Sequence, residues 1–230
     1  MVRIETLDGS GSFEAYAAEP QGSPRGAIVV IQEIFGVNEG IRRKCDRFAA
    51  NGYLALAPDL FWRLQPGIEL DPDIEPEFKR ALELMGRFDQ DQGVKDIEAT
   101  IRAARARLPD GGKVGVVGYC LGGRLAYMTA ARTDADASVG YYAVGLPNIL
   151  DERNAIAKPL LLHIAGADHF VAPEQQQAMH DALDPHPRVT LYDYPGEDHG
   201  FAAEMGRRRS DAAARLADER TDAFFAEHVG

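Results

Sequence analysis

The segment Val-Gly-Val-Val-Gly-Tyr-Cys-Leu-Gly-Gly-Arg at residues 114–124 leaves a chain few ways to fold. Val114, Val116 and Val117 form a short apolar run, the mark of a strand buried on both faces. Residues 121–131 read as a helix that follows with almost no loop. A strand that turns at once into a helix strains the residue at its apex, here Cys120, and crowds that residue's neighbours. Glycine two positions to either side, Gly118 and Gly122, lets the two elements approach without a Cβ in the way. The result, Gly-x-Cys-x-Gly, is a version of the Gly-x-Ser-x-Gly elbow, whose apex side chain stands open at the carboxyl edge of a sheet. The N–H of Leu121, at the helix N-terminus, is then placed to meet negative charge developing on a substrate oxygen. A glycine-rich turn with a merely buried cysteine fits the same five residues, since free cysteine is among the most buried residue types. The rest of the chain has to decide between them.

Along the chain, strands and helices alternate. Residues 2–7 and 12–17 flank Asp8-Gly9-Ser10-Gly11 as an N-terminal hairpin. Buried strands are predicted at 27–31, 53–57 and 159–164, with further strands at 137–143 and 188–194. Asn38 reads as the N-cap of a helix that ends before Asn51-Gly52. Other helical patterns span about 77–88 and 91–107, then 173–183 and 210–228. Residues 145–158 read as loop and short helix, and the Pro- and Asp-rich stretch 58–76 is the one candidate cap. This alternation predicts one α/β domain over residues 1–230: a mainly parallel sheet of about seven or eight strands, flanked by helices, with a minimal cap.

Composition narrows the function. Of 230 residues 45% are hydrophobic and 27% charged, which excludes disordered and fibrous classes. A net charge of −11 argues against nucleic acid as a partner, because phosphates need a basic face. No apolar run approaches membrane-spanning length, and the first residues lack a signal-peptide pattern, so a cytoplasmic protein is expected. Cys45 and Cys120 are the only cysteines, neither in a Cys-x-x-Cys motif, and Cys45 sits in a charged helical pattern. Neither a structural disulfide nor a zinc site is expected.

A nucleophile needs a base, and the base an orienting carboxylate. Cys120 follows one strand, Asp168 follows 159–164, and His199 follows 188–194, which is the order nucleophile, acid, histidine on one sheet edge. Asp198 is a rival acid, but it adjoins His199 and cannot readily reach the far ring nitrogen. His169 reads as a loop-packing neighbour, and His163, within an apolar strand, as a hydrogen-bonded core residue. Histidine spacing supports no metal site. Glu33 leaves the strand 27–31 at the same edge, beside Ile34, whose N–H is the expected second oxyanion donor. A carboxylate there disfavours a thiolate and can accept the thiol proton; a solvated strand-end glutamate is the alternative.

These residues resemble a known family. The segments Gln32 to Asn38, Ala57-Pro58-Asp59-Leu60, Gly115 to Gly123, Gly140-Tyr141-Tyr142, Ala167 to Val171 and His199-Gly200-Phe201 are similar to the dienelactone hydrolase family of the α/β-hydrolase fold. The resemblance implies hydrolysis of a small ester or lactone through Cys120, His199 and Asp168, without a metal or cofactor. It further implies that Glu33 keeps the resting cysteine as a thiol until substrate arrives and then accepts its proton. Ile34 and Leu121 fall on the oxyanion amides and Tyr141 on a pocket tyrosine, and the family suggests a monomer. Two departures bear on the substrate. The positions of the family's carboxylate-holding arginines carry Phe78 and Ala203, and Leu82 stands where its binding-site tyrosine is expected; Lys79, Arg80, Arg207, Arg208 and Arg209 lie nearby as substitutes for the arginines, with a solvated face the alternative for the arginine run. Two other functions are compatible with the same residues: a general carboxylesterase or thioesterase for neutral substrates, and a non-catalytic thiol sensor.

Overall fold

A computed structural model describes residues 1–230. Eight strands form one sheet in the order β1-β2-β4-β3-β5-β6-β7-β8, where β1 is Val2–Glu5, β2 Ser12–Ala18, β3 Ala27–Ile31 and β4 Leu54–Pro58. β5 is Val114–Tyr119, β6 Ala137–Tyr141, β7 Leu160–Ala165 and β8 Val189–Tyr194. The N-terminal hairpin β1–β2 is antiparallel and β2 joins β4 antiparallel; every other pairing is parallel. β3, β4, β5, β6 and β7 are buried along their whole length, as continuous Val-, Leu- and Ala-rich runs require once helices cover both faces.

Helices α1 (Glu39–Ala50) and α6 (Asp211–His228) pack on one face. Helices α2 (Glu75–Arg87), α3 (Gln90–Arg105), α4 (Leu121–Arg132) and α5 (Pro173–Leu183) pack on the other. The Asn38 side chain caps α1 by accepting the N–H of Ile41 at 3.2 Å. The predicted elements reappear with their ends moved by a residue or two, and no helix is long and apolar enough to cross a membrane.

The strand order reverses at β3 and β5, the crevice where open α/β sheets bind ligands. Register makes the crevice specific. Ile31 pairs with Gly118, so Glu33 and Cys120, each two residues further on, leave the sheet side by side. Tyr119 pairs with Tyr141, and the N–H of Cys120 is held by the Tyr141 carbonyl at 3.1 Å. At the neighbouring pair Ala165 faces Tyr194, which sends the loops carrying Asp168 and His199 over the same edge.

Candidate active site

Cys120 has φ 57° and ψ −115°, a left-handed backbone that a Cβ-bearing residue adopts only where its surroundings enforce it. The glycines do the enforcing. A Cβ on Gly118 would lie 1.9 Å from the Gly122 carbonyl oxygen, and one on Gly122 would lie 2.5 Å from that of Ile31. The start of α4 thus sits directly against the ends of β5 and β3. In consequence Leu121 and Ile34 are neighbours of Cys120, both buried; the Ile34 N–H has no acceptor within the protein, and the Leu121 N–H, first in α4, is one that a helix cannot satisfy from its own turns.

Cys120 is partly exposed and opens into a cavity of about 420 Å³, a size suited to a small organic molecule. The His199 ring donates its Nδ1–H to Asp168 Oδ2 at 2.8 Å, with both residues buried. Asp168 Oδ1 is fixed by the Phe170 N–H at 2.9 Å. An imidazole that gives its Nδ1 proton to Asp168 presents Nε2 toward the cysteine side. Burial disfavours a charged His199, but the Cys120 sulfur whenever it is ionised, together with the Asp168 carboxylate, outweighs burial and pushes its pKa up to about 10. Glu33 also lines the cavity. Burial raises its pKa above the ordinary carboxylate value, against the opposing pull of His199, Lys44, Arg208 and Tyr142.

Asp198 does not touch the His199 ring. Its Oδ1 accepts the His169 ring at 2.7 Å, the His169 N–H at 3.1 Å and the His199 N–H at 2.6 Å. It therefore ties the loop of Asp168 to the loop of His199, and the bond from the Ala167 N–H to the Glu197 carbonyl at 2.9 Å adds a second tie. Slight burial works against ionising Asp198, but these donors pull its pKa down to about 2. Asp168, His169 and Asp198 bring ligand-type atoms within 4.8 Å of one another, a grouping that spacing did not predict. Each is already engaged with the partners just named. His163 is the core residue expected of it, bonded to Tyr194 and Thr221 at 2.8 and 2.9 Å and held neutral by burial, with a pKa of about 3.

The recognition side differs from expectation at one residue. Tyr141 is not a pocket tyrosine: it is fully buried on the α6 face, its hydroxyl bonded to Thr221 at 2.6 Å and Asp218 at 3.1 Å. The tyrosine beside the site is Tyr142, its ring centroid 5.0 Å from that of His199. Its φ of 36° breaks the alternation of the strand end, so that both rings pack on one face. Phe78, Leu82 and Ala203 do line the cavity. With Met85 they show that α2 turns an i, i+4, i+7 apolar stripe to the site. Phe170 covers His199, ring centroids 4.9 Å apart. Arg208 stands between Phe78 and Phe170, 5.9 and 5.6 Å from the ring centroids, and makes no hydrogen bond or ion pair. Arg124, by contrast, is occupied by Gln90 at 2.8 Å and the Gly145 carbonyl, and Arg207 by Asp73 at 3.5 Å. Tyr142 and Phe170 have no signal of a role in the sequence, whereas Arg208 is one of the nearby basic residues it offers in place of the missing arginines. A wider cleft of about 560 Å³ lies near β1 and β2, around Trp62 and Arg42, and holds no nucleophile–base pair.

The sheet order, the elbow after β5 and the loops after β7 and β8 define an α/β hydrolase. The sequence model of the Dienelactone hydrolase family matches residues 13–229. The chain belongs to the dienelactone hydrolase family and is a hydrolase of that type. It is 47% identical over 222 residues to a “Putative carboxymethylenebutenolidase” of Azospirillum brasilense, covering 96% of this chain and 95% of that protein. Identity to the carboxymethylenebutenolidase of Pseudomonas putida is 40% over 225 residues, covering 98% and 95%. The crystal structure of a “Putative Dienelactone Hydrolase” from Klebsiella pneumoniae superimposes with a TM-score of 0.84 at 28% identity, covering 98% of each chain.

Proposed function

We propose that the chain is a carboxymethylenebutenolidase-type enzyme that opens small lactones or esters through a thioester on Cys120. The observation that carries this reading is the meeting of the Cys120 thiol, the His199–Asp168 pair and the buried amides of Ile34 and Leu121 at one cavity mouth. The Cys120 thiol gives its proton to Glu33, and the thiolate adds to the substrate carbonyl. The oxyanion lies on the N–H groups of Leu121 and Ile34, each such donor being worth roughly 3–4 kcal/mol in related chemistry. Collapse breaks the ester C–O bond; the leaving oxygen takes the proton from Glu33, and in a lactone stays tethered to the acyl group. His199, oriented by Asp168, then takes a proton from water. The hydroxide attacks the thioester, and sulfur departs and recovers the proton from His199.

Arg208 supports a substrate that carries a carboxylate. It is the cavity's unpaired guanidinium, and it reaches the site from a position other than Phe78 or Ala203. The apolar stripe Phe78, Leu82 and Met85 favours a second reading, a neutral ester. Comparing kcat/KM for an anionic lactone with that for a neutral ester of equal size separates them. The thioester itself is tested by intact-mass spectrometry of His199→Gln after brief exposure to substrate. An acyl increment on Cys120, absent from Cys120→Ala, is expected. Wild-type turnover by Cys120→Ala would overturn the reading.

A further inference from the structure

Behind Glu33 the structure carries a second polar assembly that the chemistry above does not use. Lys44, on α1, is 2% exposed and bonds Glu204 at 2.9 Å and Asp218 at 3.3 Å. An ammonium has three N–H donors; the two Asp218 oxygens, at 3.3 and 3.4 Å, share one and Glu204 takes another, which leaves the third toward Tyr119, whose ring centroid is 5.2 Å away. Tyr119, at the end of β5, and Tyr142 are each 1% exposed, and neither hydroxyl has a hydrogen-bond partner. Buried hydroxyls without partners are rare and call for an explanation. Lys44, Tyr119, Tyr142, Glu204 and Glu33 line one cavity of about 10 Å³, walled by α1, the sheet edge and the loop after β8. That volume fits a single water, and a buried water needs two to four polar partners.

We propose that this cavity is a site for one ordered water, held by Lys44, Tyr119 and Tyr142 against the Glu33 carboxylate, and that Lys44 thereby acts as a positioning residue for proton transfer at Cys120. The donor count closes: the water accepts from Lys44 and one tyrosine and donates to Glu33 and the other tyrosine oxygen, whose own hydrogen is left to the Glu204 carboxylate in the same cavity. Glu33 is half-buried, and burial disfavours its charge more than any one of the groups that favour it; the Tyr142 hydroxyl beside it has no hydrogen-bond partner, so a water is the group that can join the two. The groups that face Glu33 are His199 from the loop after β8, Arg208 from the same loop, Lys44 from α1 and Tyr142 after β6. Of the three cations, Lys44 alone is sealed from solvent and from substrate, so its field is constant through turnover. The role of Lys44 in catalysis rests on Glu33 as the thiol's proton acceptor; the water site does not.

Difference infrared spectroscopy of the full-length protein reads Glu33 directly, its protonated carboxyl band being the one that Glu33→Gln removes. Titration of that band in wild type, Lys44→Met and Tyr119→Phe gives the midpoint. Loss of Lys44 is expected to move it up by about one pH unit or more, as loss of a nearby opposite charge does. Tyr119→Phe leaves every buried charge paired and keeps the fold; it is expected to move the midpoint in the same direction by less. A crystal structure of the wild type is expected to show one water in contact with Lys44 and Glu33. A midpoint unmoved in both variants, or a dry cavity, overturns the proposal. Activity of Glu33→Gln tests the other premise: full kcat/KM there would refute Glu33 as acceptor while leaving the water site standing.

Discussion

Alanine at position 118 is the sharpest test of how the elbow works. The added Cβ would sit 1.9 Å from the Gly122 carbonyl oxygen and 2.2 Å from its carbon, where contacts under 3.0 Å are essentially never seen. The backbone of Gly122 must therefore retreat by at least 3.0 − 1.9 = 1.1 Å. It cannot do so freely, because its own Cα side is backed against the Ile31 and Gln32 carbonyl oxygens. The motion passes to Leu121, whose N–H is one residue away, and to Cys120. Misplacement of reacting groups by about 1 Å costs on the order of 100-fold in rate, or about 2.7 kcal/mol of barrier. Overpacking adds a stability loss of about 1–3 kcal/mol. The assay is kcat/KM on an activated ester, normalised to folded protein by circular dichroism and to thiol by titration of Cys120. Gly86→Ala is the control: Gly86 lies within α2, its Cβ would meet nothing within 4 Å, and alanine there should raise stability by up to about 1 kcal/mol. A folded Gly118→Ala enzyme within threefold of wild-type kcat/KM would refute the close-approach account.

The two aspartates should separate cleanly. Asp168 uses both oxygens, so Asp168→Asn removes the negative charge facing His199 and, with its one oxygen kept by the Phe170 N–H, turns an amide N–H to the ring; kcat should fall by about 10²–10⁴-fold. Asp198 serves all its donors with one oxygen, which an asparagine amide keeps, and Asp198→Asn should stay within tenfold. Asp198 also predicts a pH signature. Its folded pKa of about 2 lies below the ordinary 3.8, so its contribution is present above that value and is lost as pH falls toward 2. The gap in melting temperature between wild type and Asp198→Asn should close over that interval in calorimetry; a constant gap would contradict the loop tie. Arg208→Leu should reduce kcat/KM for a carboxylate-bearing lactone by about 10–100-fold, the worth of one hydrogen bond to a charged group. A neutral ester of the same size should change little, and equal losses for both would remove Arg208 from recognition.

How much of this was legible follows from the range of the interactions involved. The parallel strands read easily because each is a contiguous apolar run, and β5, β3 and β7 are buried at every position. The grouping of Cys120, Asp168 and His199 read from chain order because a parallel sheet sends successive strand ends to one edge. Lys44 could not be read: it lies among Arg42, Arg43, Asp46 and Arg47, a pattern that looks like a solvated face. Its burial depends on Asp218 and Glu204, at least 160 residues away in the chain. Tyr141 enters the pocket only through the family resemblance; its place in the core depends on Thr221 and Asp218, about 80 residues away in the chain, and the positive φ of Tyr142 has no signature in the residue itself. Arg208 is legible only as one of several nearby basic residues; that it is the arginine left unpaired at the cavity is set by Asp73 engaging Arg207 and Glu204 engaging Arg209.

The two halves of the site are made of different material, and this decides which property each can alter. Cys120, Glu33 and the two amides hang directly from β3 and β5, each paired on both sides in the sheet. Asp168 and His199 hang from β7 and β8, and since β8 is an edge strand, its loop is held instead by the His169–Asp198 and Ala167–Glu197 ties. A backbone displacement anywhere in this half reaches the reacting atoms. The other half, comprising α2 and residues 203–208, presents side chains of which Leu82, Met85 and Phe170 opposite them remain exposed. Exposed side chains are replaced at little cost to stability, so this half can change what is bound without disturbing how it is cleaved. Substitutions there should act on KM and on preference among acyl compounds, whereas those at the elbow should act on kcat. The same division explains why reaction chemistry follows from chain order whereas the substrate does not. Order along a parallel sheet is a geometric statement about strand ends, but an apolar stripe at 78, 82 and 85 states only that something oily faces it.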